Sequence, residues 1–320
     1  MKIGLRTIKT VISVVLGILI ASAFGLASAP TAGIIALLSV SNTKKSSLEL
    51  GVGRILAFIG AVFIAWVCYN LIGYNAYAFG AYLLAYIPLA VKFNVPEAIT
   101  VNSVLMTSFL NAKSMTFALI GNAFGLLIIG ISLAWLANLY MPNQSQKLAD
   151  NKKSVDEKIQ TLILELADVL TAQGEVTKCE TLLAELSHQI ENGEAIAKKD
   201  LDNHLLSEDV YHLNYFQMRR LQWTLLDDIL LKIKKIDVSA EISEDVVKLM
   251  ERIATEYAET NDAKALKEAA QNTMAFYQAS PLPKTRTEFE NRAVLFLLLQ
   301  DLETFVSIKV NFFAESSLGE

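Results

Sequence analysis

Two short apolar stretches decide the fold: PTAGIIALLSV at residues 30–40 and PEAITVNSVLMTSFL at residues 96–110. Each begins at a proline and is followed by a similar polar run, Asn42-Thr-Lys-Lys-Ser46 in the first case and Asn111-Ala-Lys-Ser114 in the second. Both are shorter than the roughly 20 apolar residues that a helix needs to cross a ~30 Å hydrocarbon core. Paired short or proline-broken segments in corresponding halves mark the substrate path of many transporters. They predict transport of a small solute.

Four longer apolar stretches surround the short pair, so the first half of the chain holds six. At ~1.5 Å of rise per residue the four long ones are expected to span the bilayer, and the short ones reach only some 15–24 Å. In chain order the six stretches are residues 5–26, 30–40, 52–72, 74–91, 95–110 and 115–140.

Charge divides the chain near Pro142. Residues 1–142 carry eight Lys/Arg and two acids, a net +6, and residues 143–320 carry twenty Lys/Arg and thirty-one acids, a net −11; together they give the formal −5 of the whole chain. The sequence therefore predicts an all-α protein with a six-span membrane domain at 1–142 and a soluble cytosolic helical bundle at 143–320.

Positive charge sets the predicted orientation. With the N-terminus in the cytoplasm and six crossings, seven Lys/Arg lie on the cytoplasmic side, and Lys113 alone lies outside. This bias is the usual one for a multi-pass protein of the cell membrane, and it places the C-terminal domain in the cytoplasm. A re-entrant first short segment would move Lys44 and Lys45 outside, so six crossings are favoured.

A weak internal repeat relates the two halves of the membrane domain. Pro30 and Pro96 are 66 residues apart, and Ala65-Trp66 and Ala134-Trp135 are 69 apart. Each module would hold three crossings, and an odd number makes the two copies inverted in the membrane.

Small residues at a spacing of four predict close helix packing. They occur at Gly17, Ala21 and Gly25 in the first stretch, and at Gly121 and Gly125 in the sixth.

A polar stripe runs along the fifth stretch at helical spacing. Unpaired polar groups are expensive in lipid, so the stripe must face protein or water. Hydrogen bonding to neighbouring helices and lining of a substrate path both remain open, and Asn102 and Asn122 are further candidates for either role. The stripe consists of Glu97, Thr100, Ser103, Thr107 and Asn111.

Two cations stand apart from the cytoplasmic anchors. Arg54 lies near the start of the third stretch beside Gly51 and Gly53, and Lys113 directly follows a short stretch. A cation in a low-dielectric cleft attracts an anion. Both residues are therefore candidates for anion handling.

The second half shows the 3.6-residue periodicity of helices throughout. His204, Glu208 and His212 share a predicted helix face, but two turns between the histidines is wide for one metal ion. Arg219, Arg220 and Trp223 could form a cation–π contact or meet an anion, with packing favoured. No phosphate loop or catalytic constellation is visible, so we expect no enzyme, no catalytic residues, no metal, no cofactor and no nucleic-acid partner. The predicted helices are residues 145–173, 175–192, 198–236, 241–259, 262–279 and 285–314.

Three motifs resemble the aromatic acid exporter family of the wider fusaric-acid-resistance superfamily. They are Leu5-Arg-Thr-Ile-Lys9, Ala29-Pro-Thr-Ala-Gly-Ile34 and Gly51-Val-Gly-Arg-Ile55. The order of six spans followed by a helical domain also resembles the short bacterial form of that family, and the resemblance covers nearly the whole chain. It implies a homodimer that exports aromatic carboxylates or related organic anions. Only Arg54 is carried over from the family pattern as a site residue.

The sequence therefore predicts a membrane transporter that moves small organic anions outward, with membrane lipid and a second copy as partners. Proton coupling would involve Glu97. A passive organic-anion channel, or a membrane-anchored sensor or scaffold acting through its helical domain, are the alternatives.

Overall fold

The computed structural model describes residues 4–140, 144–204, 210–236, 240–257 and 261–316. All regular elements in these ranges are helices, so the all-α fold class is confirmed. The chain forms two compact units. Unit 1 comprises Met1–Pro142 with Asp202–Glu208, and unit 2 comprises Asn143–Leu201 with Asp209–Glu320.

The described residues of unit 1 contain six helices, in the order that the apolar stretches predict. Three are long and apolar enough to cross a membrane, and three apolar helices are shorter. The long ones are α1 (Leu5–Ala23), α3 (Lys44–Ile72) and α6 (Phe117–Leu139), and the short ones are α2 (Pro30–Ser39), α4 (Ala76–Lys92) and α5 (Ala98–Ala112).

Side-chain caps begin α3 and α4 at positions that the hydropathy prediction does not give. α3 begins eight residues early because Thr43 caps it, its side chain accepting from Ser46 N at 3.2 Å. Asn203, also in unit 1, accepts from Lys44 N at 3.1 Å. α4 has only 17 residues because Asn75 caps its start and accepts from Ala78 N at 3.0 Å. Capping side chains fix these ends, and hydropathy does not register them.

Glycines allow close packing of α1, α2 and α6. A Cβ on Gly17 would lie 3.3 Å from Ala32 O, which confirms the packing role predicted for Gly17. A Cβ on Gly130 would lie 2.6 Å from Ile35, a contact that the sequence did not single out. Gly121 faces open space, so its predicted packing role is wrong within this chain. α2 thus packs between α1 and α6, while α5 packs against α3 and α4.

Where the structure describes unit 2, six helices surround one apolar core. The break predicted between the helices at 175–192 and 198–236, which begins at Gly193, is wrong because α8 continues through it. A Cβ there would clash with the Phe216 ring, so the glycine makes room for a neighbouring helix instead of ending its own. The helices are α7 (Ser145–Leu170), α8 (Val176–Leu201), α9 (Tyr211–Ile233), α10 (Ala240–Glu256), α11 (Lys264–Ala279) and α12 (Arg286–Ser316).

The shared helix face predicted for the histidine trio is also wrong. α8 ends at Leu201, His204 follows in non-helical chain, and His212 lies in the new helix α9. Glu208 lies outside the described residues. Across the described ranges, no group of His, Cys, Asp and Glu is suited to hold a metal ion.

Candidate functional site

Arg54 is the buried cation of unit 1. Its side chain is 3% exposed and lies between the end of α2 and the start of α5. The guanidinium donates to Leu38 O at 2.9 Å, to Ser39 Oγ, and to Glu97 O at 3.4 Å. Among the described residues, no carboxylate oxygen lies within 4 Å of it. Three of its five N–H groups are used on neutral oxygens, so the positive charge stays uncompensated by direct pairing.

The two short helices place these oxygens. Leu38 O belongs to the last turn of α2, whose carbonyls have no partner within the helix and carry the negative end of the helix dipole. Glu97 occupies the N-cap position of α5. Pro30 is the first residue of α2, where proline is tolerated, and Pro96 directly precedes the Glu97 N-cap of α5. Both short stretches therefore converge on one arginine.

Two adjoining cavities open beside Arg54, with volumes of about 190 and 340 Å³. Arg54 and Glu97 line both of them, and the larger one also reaches Thr100. Of the predicted site residues, the structure thus brings these three together. The remaining lining comes from Leu38, Ser46, Glu49, Leu50, Gly53, Asn94, Val95, Pro96 and Ala98.

One buried cation and two acids line the cavities. The burial of each group decides which charge acts most strongly on a bound solute. Glu49 and Glu97 are exposed, whereas Arg54 is buried. A carboxylate about 4 Å from a cation gains about 4 kcal/mol at an effective dielectric constant near 20, against about 1 kcal/mol for a pair in water. The cavity therefore suits an anion at its buried end, with two ionisable acids at its rim.

The polar stripe does not form the buried face of α5. Glu97, Thr100 and Asn111 are exposed, and the Thr107 hydroxyl bonds back to Val104 O at 2.6 Å. Lys113 is exposed at the far end of the helix, in a left-handed conformation with φ of 50°. The structure does not bring Asn111 and Lys113 to the Arg54 cavities, and a role for them in the path stays a prediction.

Asn102 provides the polar group on the buried face of α5. It is fully buried and donates to Arg54 O at 3.3 Å and to Tyr86 Oη at 2.9 Å. The Tyr86 ring stacks on Tyr82 with ring centroids 5.2 Å apart. Both tyrosines lie on the buried face of α4. Their spacing of four, in line with Ala78 and Ala90, was the signal for a buried face.

In unit 2, the candidate cation Arg219 is buried in the core and has a structural role. It is fully buried, pairs with Asp156 at 2.6 Å, and donates to Gln222 Oε1 at 2.8 Å and Tyr215 Oη at 3.1 Å. Burial alone would lower the pKa of Arg219, but its electrostatic interactions with Tyr257, Tyr215 and Asp156 raise the pKa on balance. The guanidinium stays charged inside the bundle.

The other two candidates of this cluster are also structural. Arg220 forms a bidentate pair with Glu194 at 2.7 and 2.8 Å, and Trp223 Nε1 donates to Leu183 O at 2.9 Å. The packing interpretation of this cluster therefore agrees with its contacts.

Comparison with known proteins assigns the family. Residues 1–141 match "Aromatic acid exporter family member 1", and residues 145–310 match "Putative aromatic acid exporter C-terminal domain". The chain belongs to the aromatic acid exporter family. It is a membrane protein of a transporter family, as the motifs and apolar helices predict.

Among relatives of this exporter-family chain is "Uncharacterized protein YqjA" of Bacillus subtilis (strain 168). The two are 32% identical over 322 residues, which cover 99% of each chain. The crystal structure of a "putative membrane protein from Clostridium difficile 630" matches 53% of this chain and 98% of its own, at 22% identity and a TM-score of 0.48.

Proposed function

We propose that this protein exports small organic anions, chiefly aromatic carboxylates, across the cell membrane. The observation that carries the proposal is Arg54, which is buried beside two cavities and forms no direct ion pair with any described carboxylate. Family membership supports export as the direction, and the charge of Arg54 supports an anionic substrate. Two N–H groups of the guanidinium remain for a substrate carboxylate.

We further propose six crossings, with the N-terminus and the helical domain in the cytoplasm. The ends of α2 and α5 that meet at Arg54 then lie on the cytoplasmic side, where an export substrate is loaded. The excess of Lys/Arg in the cytoplasmic segments supports this orientation. Arg54 would collect the anion from the cytoplasm.

The proposed inverted repeat has support in the packing of the helices. α2 packs against α1 and α6, and α5 packs against α4 and α3. Each short helix thus contacts the first helix of its own module and the third helix of the other. Inverted repeats of this kind place substrate sites near the middle of the membrane.

A homodimer would explain the exposed polar face of α5. Glu97, Thr100 and Asn111 are exposed in the single chain, and polar groups are costly against lipid. A second copy over this face would enclose the path that continues from the Arg54 cavities along the predicted stripe.

Counterflow in liposomes tests the function. Purified protein is reconstituted, and uptake of labelled benzoate is driven by an internal panel of aromatic and aliphatic carboxylates. Slow, saturable exchange is expected, with aromatic carboxylates exchanging fastest. Unitary currents in a planar bilayer would indicate the passive channel instead. No flux, together with tight ligand binding by the helical domain, would indicate the sensor or scaffold.

A further inference from the structure

The connection between α11 and α12 is sparsely buried. None of the side chains from Gln271 to Val294 is buried, although Ala270 and Leu295 on either side are fully buried. Buried side chains recur along the other four described helices of unit 2. The end of α11 and the start of α12 therefore form a hairpin with much exposed surface, and residues 271–294 are named the α11–α12 hairpin.

Local bonds fix the turn of this hairpin. Arg292 donates to Pro281 O at 2.5 Å, and Thr285 Oγ1 accepts from Glu288 N at 3.1 Å at the start of α12. Pro281 and Pro283 also restrict the backbone between the two helices. Because these bonds hold the turn, it presents a fixed set of side chains to its surroundings.

Three large apolar side chains are exposed around the turn. Leu282 is 88% exposed, and Phe276 and Phe289 are 64% and 61% exposed. Phe276 lies three residues before the end of α11 and Phe289 three residues after the start of α12, so both lie within about 5 Å of helix rise from the turn. Single exposed apolar residues are ordinary, but a group of three at one turn indicates an interaction surface. Phenylalanine and leucine are also residues that amphipathic helices insert about 5–10 Å into a membrane interface.

The charge of the hairpin is opposite to that of the domain around it. The hairpin carries three Lys/Arg and two acids, a net +1, whereas the rest of residues 143–320 carries seventeen Lys/Arg and twenty-nine acids, a net −12. Residues 269–287 contain Lys284 and Arg286 and no acid. Both cations are exposed, and the pair that Arg286 forms with Glu290 at 2.8 Å is a weak surface pair. The turn therefore suits an anionic partner.

An anionic lipid surface fits these features better than a second copy of the chain. Isologous pairing of two hairpins would bring Lys284 and Arg286 of both copies together, and like charges repel. The chain also tethers unit 2 to the membrane, because five residues join the apolar helix α6 to α7. A short tether raises the effective concentration of the membrane surface for a weak contact.

We propose that the α11–α12 hairpin docks on the anionic surface of the membrane that holds unit 1. Phe276, Leu282 and Phe289 would enter the headgroup region, and Lys284 and Arg286 would contact lipid phosphates. The proposal requires a membrane protein, which the family establishes, and it does not depend on the transport of any solute.

Fluorescence quenching in nanodiscs tests the docking on the full-length protein. Leu282→Cys carries a bimane label in a background with Cys68→Ala and Cys179→Ala, which removes both native thiols. Doxyl-labelled lipid quenches a bimane that contacts the bilayer, and the discs contain phosphatidylcholine either alone or mixed with phosphatidylglycerol. Quenching should be at least about twofold stronger in the anionic discs. Lys284→Gln with Arg286→Gln should remove that difference, because each basic residue near an anionic surface changes binding about fivefold.

Leu221→Cys with the same label is the matched control, because Leu221 lies on α9, outside the hairpin, and is 58% exposed. It should be quenched weakly in both kinds of disc. The Lys284 and Arg286 side chains are exposed, so the double variant should keep its fold, as circular dichroism will show. Quenching at residue 282 that is no stronger than at residue 221, or that the double variant leaves unchanged, overturns the proposal. A label at residue 282 that is shielded only in discs with two copies, without lipid quenching, assigns the hairpin to a second copy and also overturns it.

Discussion

The guanidinium of Arg54 donates to the carbonyl oxygen of Leu38 at 2.9 Å, and thereby joins the middle of a long helix to the last turn of a short one. That carbonyl has no acceptor role within α2, since the final turn of a helix leaves its carbonyls unpaired. Arg54 therefore has a structural task as well as a charge. The structural role of Arg54 and the role of its charge have to be separated by experiment.

Substitutions of Arg54 distinguish the role of its charge from its role in connecting α3 to α2. Arg54→Gln should reduce benzoate counterflow at least about tenfold, because one charge-assisted hydrogen bond to the substrate is lost. Arg54→Lys keeps the charge and should retain more activity, although it loses the planar fork. Lys92→Gln, which removes an exposed cation outside the cavities, is the control. Wild-type flux in Arg54→Gln would contradict an anion site here.

Glu97 and Glu49 allow a matched test of proton coupling, because both are exposed acids that line the cavity beside Arg54. Only Glu97 touches Arg54, through its backbone carbonyl. Glu97→Gln should abolish the dependence of anion flux on an imposed pH gradient, and Glu49→Gln should preserve it. The measurement is counterflow with and without the gradient. Unchanged proton dependence in Glu97→Gln would remove Glu97 from the mechanism.

Gly130 and Gly121 lie on the same helix and differ only in what surrounds them. A Cβ at Gly130 would lie 2.6 Å from Ile35 and 2.8 Å from Ala32 O, whereas Gly121 has open space. Gly130→Ala should reduce the free energy of unfolding by about 1–3 kcal/mol through overpacking. Gly121→Ala should be neutral or stabilising because alanine favours helix. Thermal unfolding in detergent measures both, and equal stability of the two variants would argue against the close α2–α6 contact.

The glycines also show what the sequence could and could not predict. Hydropathy and charge were sufficient for the all-α class and the order of the six apolar helices. The role of a glycine depends on the partner opposite it, and Gly193 meets Phe216, 23 residues later in the chain. Local spacing carries no information about such a partner, so Gly193 was interpreted as a break.

The residues of the candidate site also fall into those that the sequence predicts and those that it does not. Arg54 and Glu97 were found because charge in an apolar stretch is conspicuous. Ser39 and Tyr86 were missed because a serine or a tyrosine in a membrane helix is ordinary. Only the packing of α2 and α4 shows that Ser39 accepts from Arg54 and that the Tyr86 hydroxyl accepts from Asn102.

The ionisation of Cys179 should make the free energy of unfolding of unit 2 depend on pH. Cys179 is fully buried, and burial raises the pKa of its thiol to about 11. The folded protein therefore holds the neutral thiol at pH values where the unfolded chain has begun to ionise. The stabilisation is present below about pH 9, where an unfolded thiol is still protonated, and it is lost as pH rises toward 11. Between pH 8 and pH 10, the free energy of unfolding measured with denaturant should fall more for wild type than for Cys179→Ala. Identical pH slopes would contradict the buried thiol.

The Arg219–Asp156 pair is expected to determine the stability of unit 2 without influencing substrate binding. Its atoms approach to 2.6 Å, with Arg219 fully buried, and removal of one partner from such a pair leaves an uncompensated charge. Asp156→Leu should therefore destabilise the protein by about 3–5 kcal/mol. The double variant Arg219→Met, Asp156→Leu should regain much of that loss, because an apolar replacement of both partners is often neutral.

Lys153→Ala is the control, because its side chain belongs to a pair with 78% and 64% exposure, and it should change stability by less than about 1 kcal/mol. Chemical unfolding followed by circular dichroism compares the three. A double variant as unstable as Asp156→Leu would show that Arg219 is needed for its hydrogen bonds to Tyr215 and Gln222 and not only as the partner of Asp156.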